Sequence, residues 1–289
     1  MKSKPLAGCV VGISISESEE MERLGFDRRE MNRCVVRLSE LLLAAGARLA
    51  FGHDWRPGGV MEAVAALAVR YFNVRRNDEG RPLSEAPIIN RVDWMRQPFL
   101  AEVRRRDSTV AEEWPAEPPP MARLLEGIVD ARAARQPASG SSSHEQAVAD
   151  GLTEMRKELA ELCHLRICLG GKVTGYSGRK PGIVEEAWFT LTRERPVLAS
   201  TVFGGASRVV VCGLSNFNVP IPQSWSALRF DPEKEAKDIQ QAAERVEVAP
   251  LDVEERWRLW TSTSVEVCLD LCLRGAVRWW ASVSGQSPT

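Results

Sequence analysis

The chain has 289 residues, 44% of them hydrophobic and 27% charged, with 38 Lys and Arg against 39 Asp and Glu and a formal net charge of −1. That length holds one large domain or two small ones around a sizeable core, and the composition excludes wholesale disorder. The charge balance argues against a general nucleic-acid or anionic-membrane binder, and no stretch approaches the ~18 apolar residues of a membrane helix. Seven cysteines (Cys9, Cys34, Cys163, Cys168, Cys212, Cys268 and Cys272) form no CxxC pair and lie mostly in apolar segments. They read as reduced core thiols of a cytoplasmic protein. Cys163, His164 and Cys168 lack a second ligand pair, so no metal is expected.

In chain order, 7–15 (AGCVVGISI) reads as a buried strand that opens a sheet, not as a signal peptide. Residues 27–45 read as a helix, with Asp27 as N-cap, Glu30 at capping-box spacing and Gly46 as the stop. A strand at 47–51 and a helix opened by Pro57-Gly58-Gly59 follow. Strand–helix alternation of this kind predicts a parallel sheet covered by helices. Residues 74–146 break the rhythm: a strand is expected at 86–92, a short helix at 121–135 and a flexible Pro/Ser-rich link at 137–143. The rhythm returns with a helix at 147–163, a strand at 165–169, a helix at 183–195 and a strand at 196–201. Val209 to Cys212 reads as one further short strand, and the rest of a C-terminal extension over 208–289 as helices. The expected fold is therefore α/β: one domain over 1–289 with a Rossmann-like parallel sheet, a long insertion and a mostly helical C-terminal extension.

In such a sheet ligands bind at the carboxyl ends of the strands. Four loops there are rich in glycine and polar residues. They offer Gly12, Ser14 and Ser16; His53, Asp54, Arg56, Gly58 and Gly59; Gly170, Gly171, Lys172, Gly178, Arg179 and Gly182; and Gly204 with Gly205. Glycine lets backbone amides approach a phosphate, and a helix N-terminus favours an anion. Lys172 and Arg179 supply cations. None of the four is a GxGxxG or a Walker A sequence, and no cofactor is expected. Glu185 and Glu186 have two readings: acids that complement a helix dipole, or a carboxylate that grips ribose hydroxyls or stabilises an oxocarbenium-like centre. Asp54 either caps the next helix or enters the pocket with His53. Trp257, Trp260, Trp279 and Trp280 pack a terminal helix or line an oligomer interface.

Three features carry a family resemblance: GISIS at 12–16, the FGHDWRPGG loop at 51–59, and LGGK followed by GYSGRKPGIVEEA at 169–187. With them the chain resembles the SLOG superfamily, which includes LOG phosphoribohydrolases, DprA/Smf proteins and the sensor region of TRPM channels. The resemblance covers roughly 7–73 and 147–207. The last segment looks like a diverged PGGxGTxxE motif, which places the family's catalytic glutamate on Glu186. The loop is longer than the family's, Ile183 stands at the threonine position, and no RKxxM segment is found. These departures point away from cytokinin-nucleotide hydrolysis and toward the sensor branches. Those branches imply an NAD-derived ligand such as ADP-ribose or a cyclic form, often in antiphage signalling. The resemblance also implies homo-oligomers and, for a chain this short, either its own activity or a separate effector protein. The leading expectation is a nucleotide sensor. The alternatives are an N-glycosidase using Glu186 or Glu185, and a scaffold without a ligand. Neither a membrane nor a nucleic-acid partner is expected.

Overall fold

In the computed structural model the described residues are 4–52, 60–74, 86–92, 129–134, 143–246 and 250–285. They form a six-stranded sheet of β1 (Val10–Ser16), β2 (Arg48–Phe51), β3 (Ile88–Val92), β4 (Val129–Ala133), β5 (Leu165–Gly170) and β6 (Val197–Ser200). Every pairing is parallel and the order is β4-β3-β2-β1-β5-β6. The chain winds outward from β1 to β4, then returns to the other side of β1. β1 and β5 therefore flank the point where strand order reverses, which is where an open parallel sheet leaves a crevice.

Alternation along β1 separates the two layers. Val11, Ile13 and Ile15 face a core shared with α1 (Arg28–Ala45), α2 (Val60–Val74) and α8 (Val265–Ser284). Val10 faces the other way, against Met155 and Leu159 of α3 (His144–Leu162). Beyond β5 that second layer continues with α4 (Gly182–Leu191), α5 (Ser207–Leu214) and α6 (Pro232–Ala243). α7 (Val253–Thr261) packs near β6 and α8. A strand buried on both faces explains why β1 and β5 read as continuous apolar runs.

The local signals act as the sequence implies at α1. The Asp27 side chain accepts the Glu30 amide at 2.8 Å, and Gly46, at φ 108°, ends the helix. α3 starts earlier than expected, because Ser143 caps it by accepting the Gln146 amide. Two expectations are corrected. Val129–Ala133, inside the span read as a helix, is strand β4; pairing with β3 outweighs the helix propensity of its alanines and arginine. The insertion thus supplies two strands. Val209 to Cys212, read as a strand, lies within α5. Its valines are buried on every side between α4, β6 and α6, so the run carries no period that separates helix from strand. No described helix is long and apolar enough to cross a membrane.

Candidate functional site

A cleft of about 200 Å³ opens at the carboxyl ends of β1 and β5. Its walls include Ser14 and Ser16 of β1, Gly52 after β2, Gly171 and Lys172 after β5, Arg156 of α3, Tyr176, and Gly182, Ile183 and Glu186 of α4. The Glu186 side chain is only 12% exposed. Its Oε2 accepts hydrogen bonds from Ser14 Oγ and, at 3.1 Å, from Arg166 Nη1. Its Oε1 stands 3.9 Å from Arg156 Nε, a buried donor without a hydrogen-bond partner.

Arg166 is the second residue of β5 and is 1% exposed. A buried cation must be paired and its protons satisfied. Besides Glu186, it donates to Ser14 Oγ and to Thr190 Oγ1, each at 2.8 Å. Gly12 pairs with it across the strands, and a Cβ at Gly12 would stand 3.1 Å from Arg166 Cζ. Gly12 therefore makes room for this arginine and does not line the cleft. Burial pushes the neighbouring Cys168 thiol up to about 12 and raises Cys163 as well. Neither supplies a thiolate nucleophile near neutral pH.

Adjacent acids on α4 have different surroundings. Glu185 points to α3, where Arg156 and Thr153 donate to its carboxylate, and it does not line the cleft. Arg156 also explains two glycines: a Cβ at Gly178 would lie 2.6 Å from its Nη1, and one at Gly182 2.8 Å from its Nη2. Arg179 pairs with Asp150, Nε to Oδ1 at 2.9 Å, and with Gly178 lines a neighbouring cleft. Lys172 is exposed at the mouth and forms no ion pair among the described residues.

No side chain caps α4, which begins after Pro181. The first α4 amide to find a helical partner is that of Glu185, donating to the Pro181 carbonyl. The Gly182 and Ile183 amides thus begin the helix at the cleft wall with partial positive charge. Gly170 and Gly171 have φ of 68° and 95°, the left-handed region that turns the chain sharply after β5.

Gly204 and Gly205 lie outside this cleft; the Gly205 amide donates to Glu20 Oε2 at 2.8 Å. His53, Asp54, Arg56, Gly58 and Gly59 lie outside the described residues. His164 is structural: its Nδ1 accepts the Val10 amide at 2.9 Å. Trp279 is buried and Trp280 donates to the Ala7 carbonyl, whereas Trp257 is exposed. Sequence reasoning missed Arg156, Arg166 and Tyr176. A lone arginine inside the apolar run LRICLG was the available signal for Arg166.

A second cavity, about 220 Å³, lies at the amino end of β6 among Leu191, Val197, Leu214, Leu259 and Trp260. It touches none of the strand carboxyl ends. No curated protein matches the chain. The SLOG cluster2 family model matches residues 5–243, a span that includes the whole sheet and the cleft. The chain belongs to the SLOG family, a membership that points to a nucleotide-related function.

Proposed function

We propose that the chain binds an NAD-derived ribose-phosphate ligand, of the ADP-ribose type, and senses it without cleaving it. The observation that carries this reading is the position of Glu186 beside the uncapped start of α4. A phosphoryl group at the Gly182 and Ile183 amides meets the helix dipole and the Lys172 ammonium. One turn further on, Glu186 Oε1 is an acceptor for ribose hydroxyls. Ser14 and Arg166 fix the carboxylate's orientation before any ligand arrives, which lowers the ordering cost of binding.

The paired guanidiniums favour sensing over cleavage. With Arg166 on one oxygen and Arg156 near the other, the negative field available to a developing ribosyl cation is largely countered. In this reading a separate effector protein responds to the liganded state. Self-association would use α7, where Val253 and Trp257 are exposed one turn apart; light scattering that finds only monomer at every concentration contradicts that part.

The test is a melting-temperature screen with NAD, ADP-ribose, its cyclic forms and AMP, with the ligand recovered and weighed by mass spectrometry. A ligand at a hundred times its Kd stabilises the native state by about 2.7 kcal/mol. The expected result is a shift with ADP-ribose recovered intact, weakened at least about tenfold in affinity by Glu186→Gln, since lost charge-assisted bonds are worth about 1.5–3 kcal/mol. Release of a free base that Glu186→Gln abolishes would establish the glycosidase instead. No shift with any nucleotide would leave the scaffold reading.

A further inference from the structure

The loop between β1 and α1 carries acidic side chains into the turns that follow β5 and β6. Glu19 Oε2 accepts the Val173 amide at 3.1 Å, and its Oε1 accepts the Thr174 amide at 2.9 Å and Thr174 Oγ1 at 2.7 Å. Glu20 Oε2 accepts the Gly205 amide at 2.8 Å and Arg208 Nε at 2.9 Å. Ser18 Oγ donates to the Phe203 carbonyl and pins the loop between them. Each carboxylate therefore sits on a set made only of donors: consecutive backbone amides with a hydroxyl, or an amide with a guanidinium. Such sets hold phosphoryl oxygens as readily as carboxylates. Burial pushes the Glu19 carboxyl up, but the hydrogen bonds from Thr174 and Val173 outweigh it and leave the group below the usual 4.5.

Both sets adjoin the cleft. Val173 and Thr174 directly follow Gly171 and Lys172 of its wall. The Ala206 amide donates to the Gly171 carbonyl at 2.8 Å, tying the Gly204-Gly205 turn to the same wall.

We propose that the Val173 and Thr174 amides, with Gly205 and Arg208 beside them, are an anion-binding extension of the cleft for a second phosphoryl group, and that Glu19 and Glu20 occupy it until a ligand with two phosphoryl groups displaces them. The proposal rests on the nucleotide reading of the cleft for the ligand's first phosphoryl group. The carboxylates hold their places because they are on the same chain, at an effective concentration in the millimolar range. The terminal phosphoryl group of pyrophosphate brings more charge than a carboxylate and a third acceptor oxygen. In ADP-ribose each phosphoryl group carries one charge and two free oxygens, and its advantage is that the first phosphoryl group, bound in the cleft, holds the second at the donors. Occupation by the loop reduces the apparent affinity of the ligand by the fraction of chains in which the extension is free.

The test compares Glu19→Gln/Glu20→Gln with Glu17→Gln/Glu22→Gln. The second pair removes the same charge from the same loop but touches neither donor set. Calorimetric titration uses inorganic pyrophosphate, ADP-ribose and AMP, and thermal unfolding confirms that each variant is folded. If the first variant loses its fold, Glu19→Ala and Glu20→Ala are read singly. The expected result is about a tenfold gain for pyrophosphate and ADP-ribose in the Glu19/Glu20 variant, the gain set by the fraction of extensions released, with AMP unchanged and the Glu17/Glu22 variant within about threefold of wild type. Equal gains in both variants, no gain, weaker binding, or no pyrophosphate binding to any of them would overturn it. Because pyrophosphate carries no ribose, failure of the Glu186 reading leaves its arm of the test intact, and the two failures are distinguishable.

Discussion

The turn that starts α4 and the turn that starts α5 lie side by side at one edge of the sheet, and both are glycine followed by helix. At α4 the first amides face a cleft and no side chain caps them. At α5 the Gly205 amide and the Arg208 guanidinium are already engaged by Glu20. Glycine content does not separate the two. What separates them is whether an acid from elsewhere in the chain reaches the donors first.

The comparison can be broken from beneath. Arg166→Leu removes the cation that fixes Glu186 under the open turn, leaving Ser14 and Thr190 without their donor. It should cost about 3–5 kcal/mol in urea unfolding, the range for breaking a buried pair; a loss under about 1 kcal/mol would show that the pair is not structural. A smaller effect is expected from Gly205→Ala. Its φ of 65° is costly for alanine, and a Cβ would collide with the Gly171 carbonyl oxygen. Gly175, at φ 57°, has nothing within 4 Å, so Gly175→Ala should cost only the roughly 1–2 kcal/mol of the left-handed conformation. Equal losses at the two positions would mean that the α5 turn is not tightly packed.

The smallest effect concerns pH, at the amino end of β5. His164 is held below its ordinary value of 6.5 by burial and by Arg195 and Arg48. The unfolded chain therefore takes up this proton at a higher pH than the folded chain does. The stability from neutral His164 is complete above the unfolded value and declines as pH falls through the folded one. Wild type should lose stability between pH 7 and 5 more steeply than His164→Gln; parallel slopes would remove His164 from the account.

How much of this was legible follows from the range of each interaction. The Asp27 cap and Gly46 stop act within a few residues, and the sequence carries them in full. Strand–helix alternation is enough to place β1, β2, β5 and β6, and so the switch-point cleft. The motif resemblance names Glu186 with Glu185 beside it, and only the structure shows that Glu186 lines the cleft while Glu185 turns to α3. Arg166 was not legible as part of the site because the serine it holds is 152 positions away; the apolar run LRICLG around it signals burial but not which groups it pairs with. Glu19 and Glu20 were missed for the same reason: their donors begin 154 and 185 residues on. β4 was misread because alanine and arginine favour helix locally, while its pairing with β3 is a tertiary effect.

The most direct measurement is an amide NMR titration of the wild-type chain with AMP, which carries a single phosphoryl group. The account predicts that the Gly171, Gly182 and Ile183 resonances move while those of Val173, Thr174 and Gly205 stay, because the open turn takes the phosphoryl group and the loop acids keep theirs. Movement at Val173, Thr174 and Gly205 with Gly182 and Ile183 unmoved would contradict it.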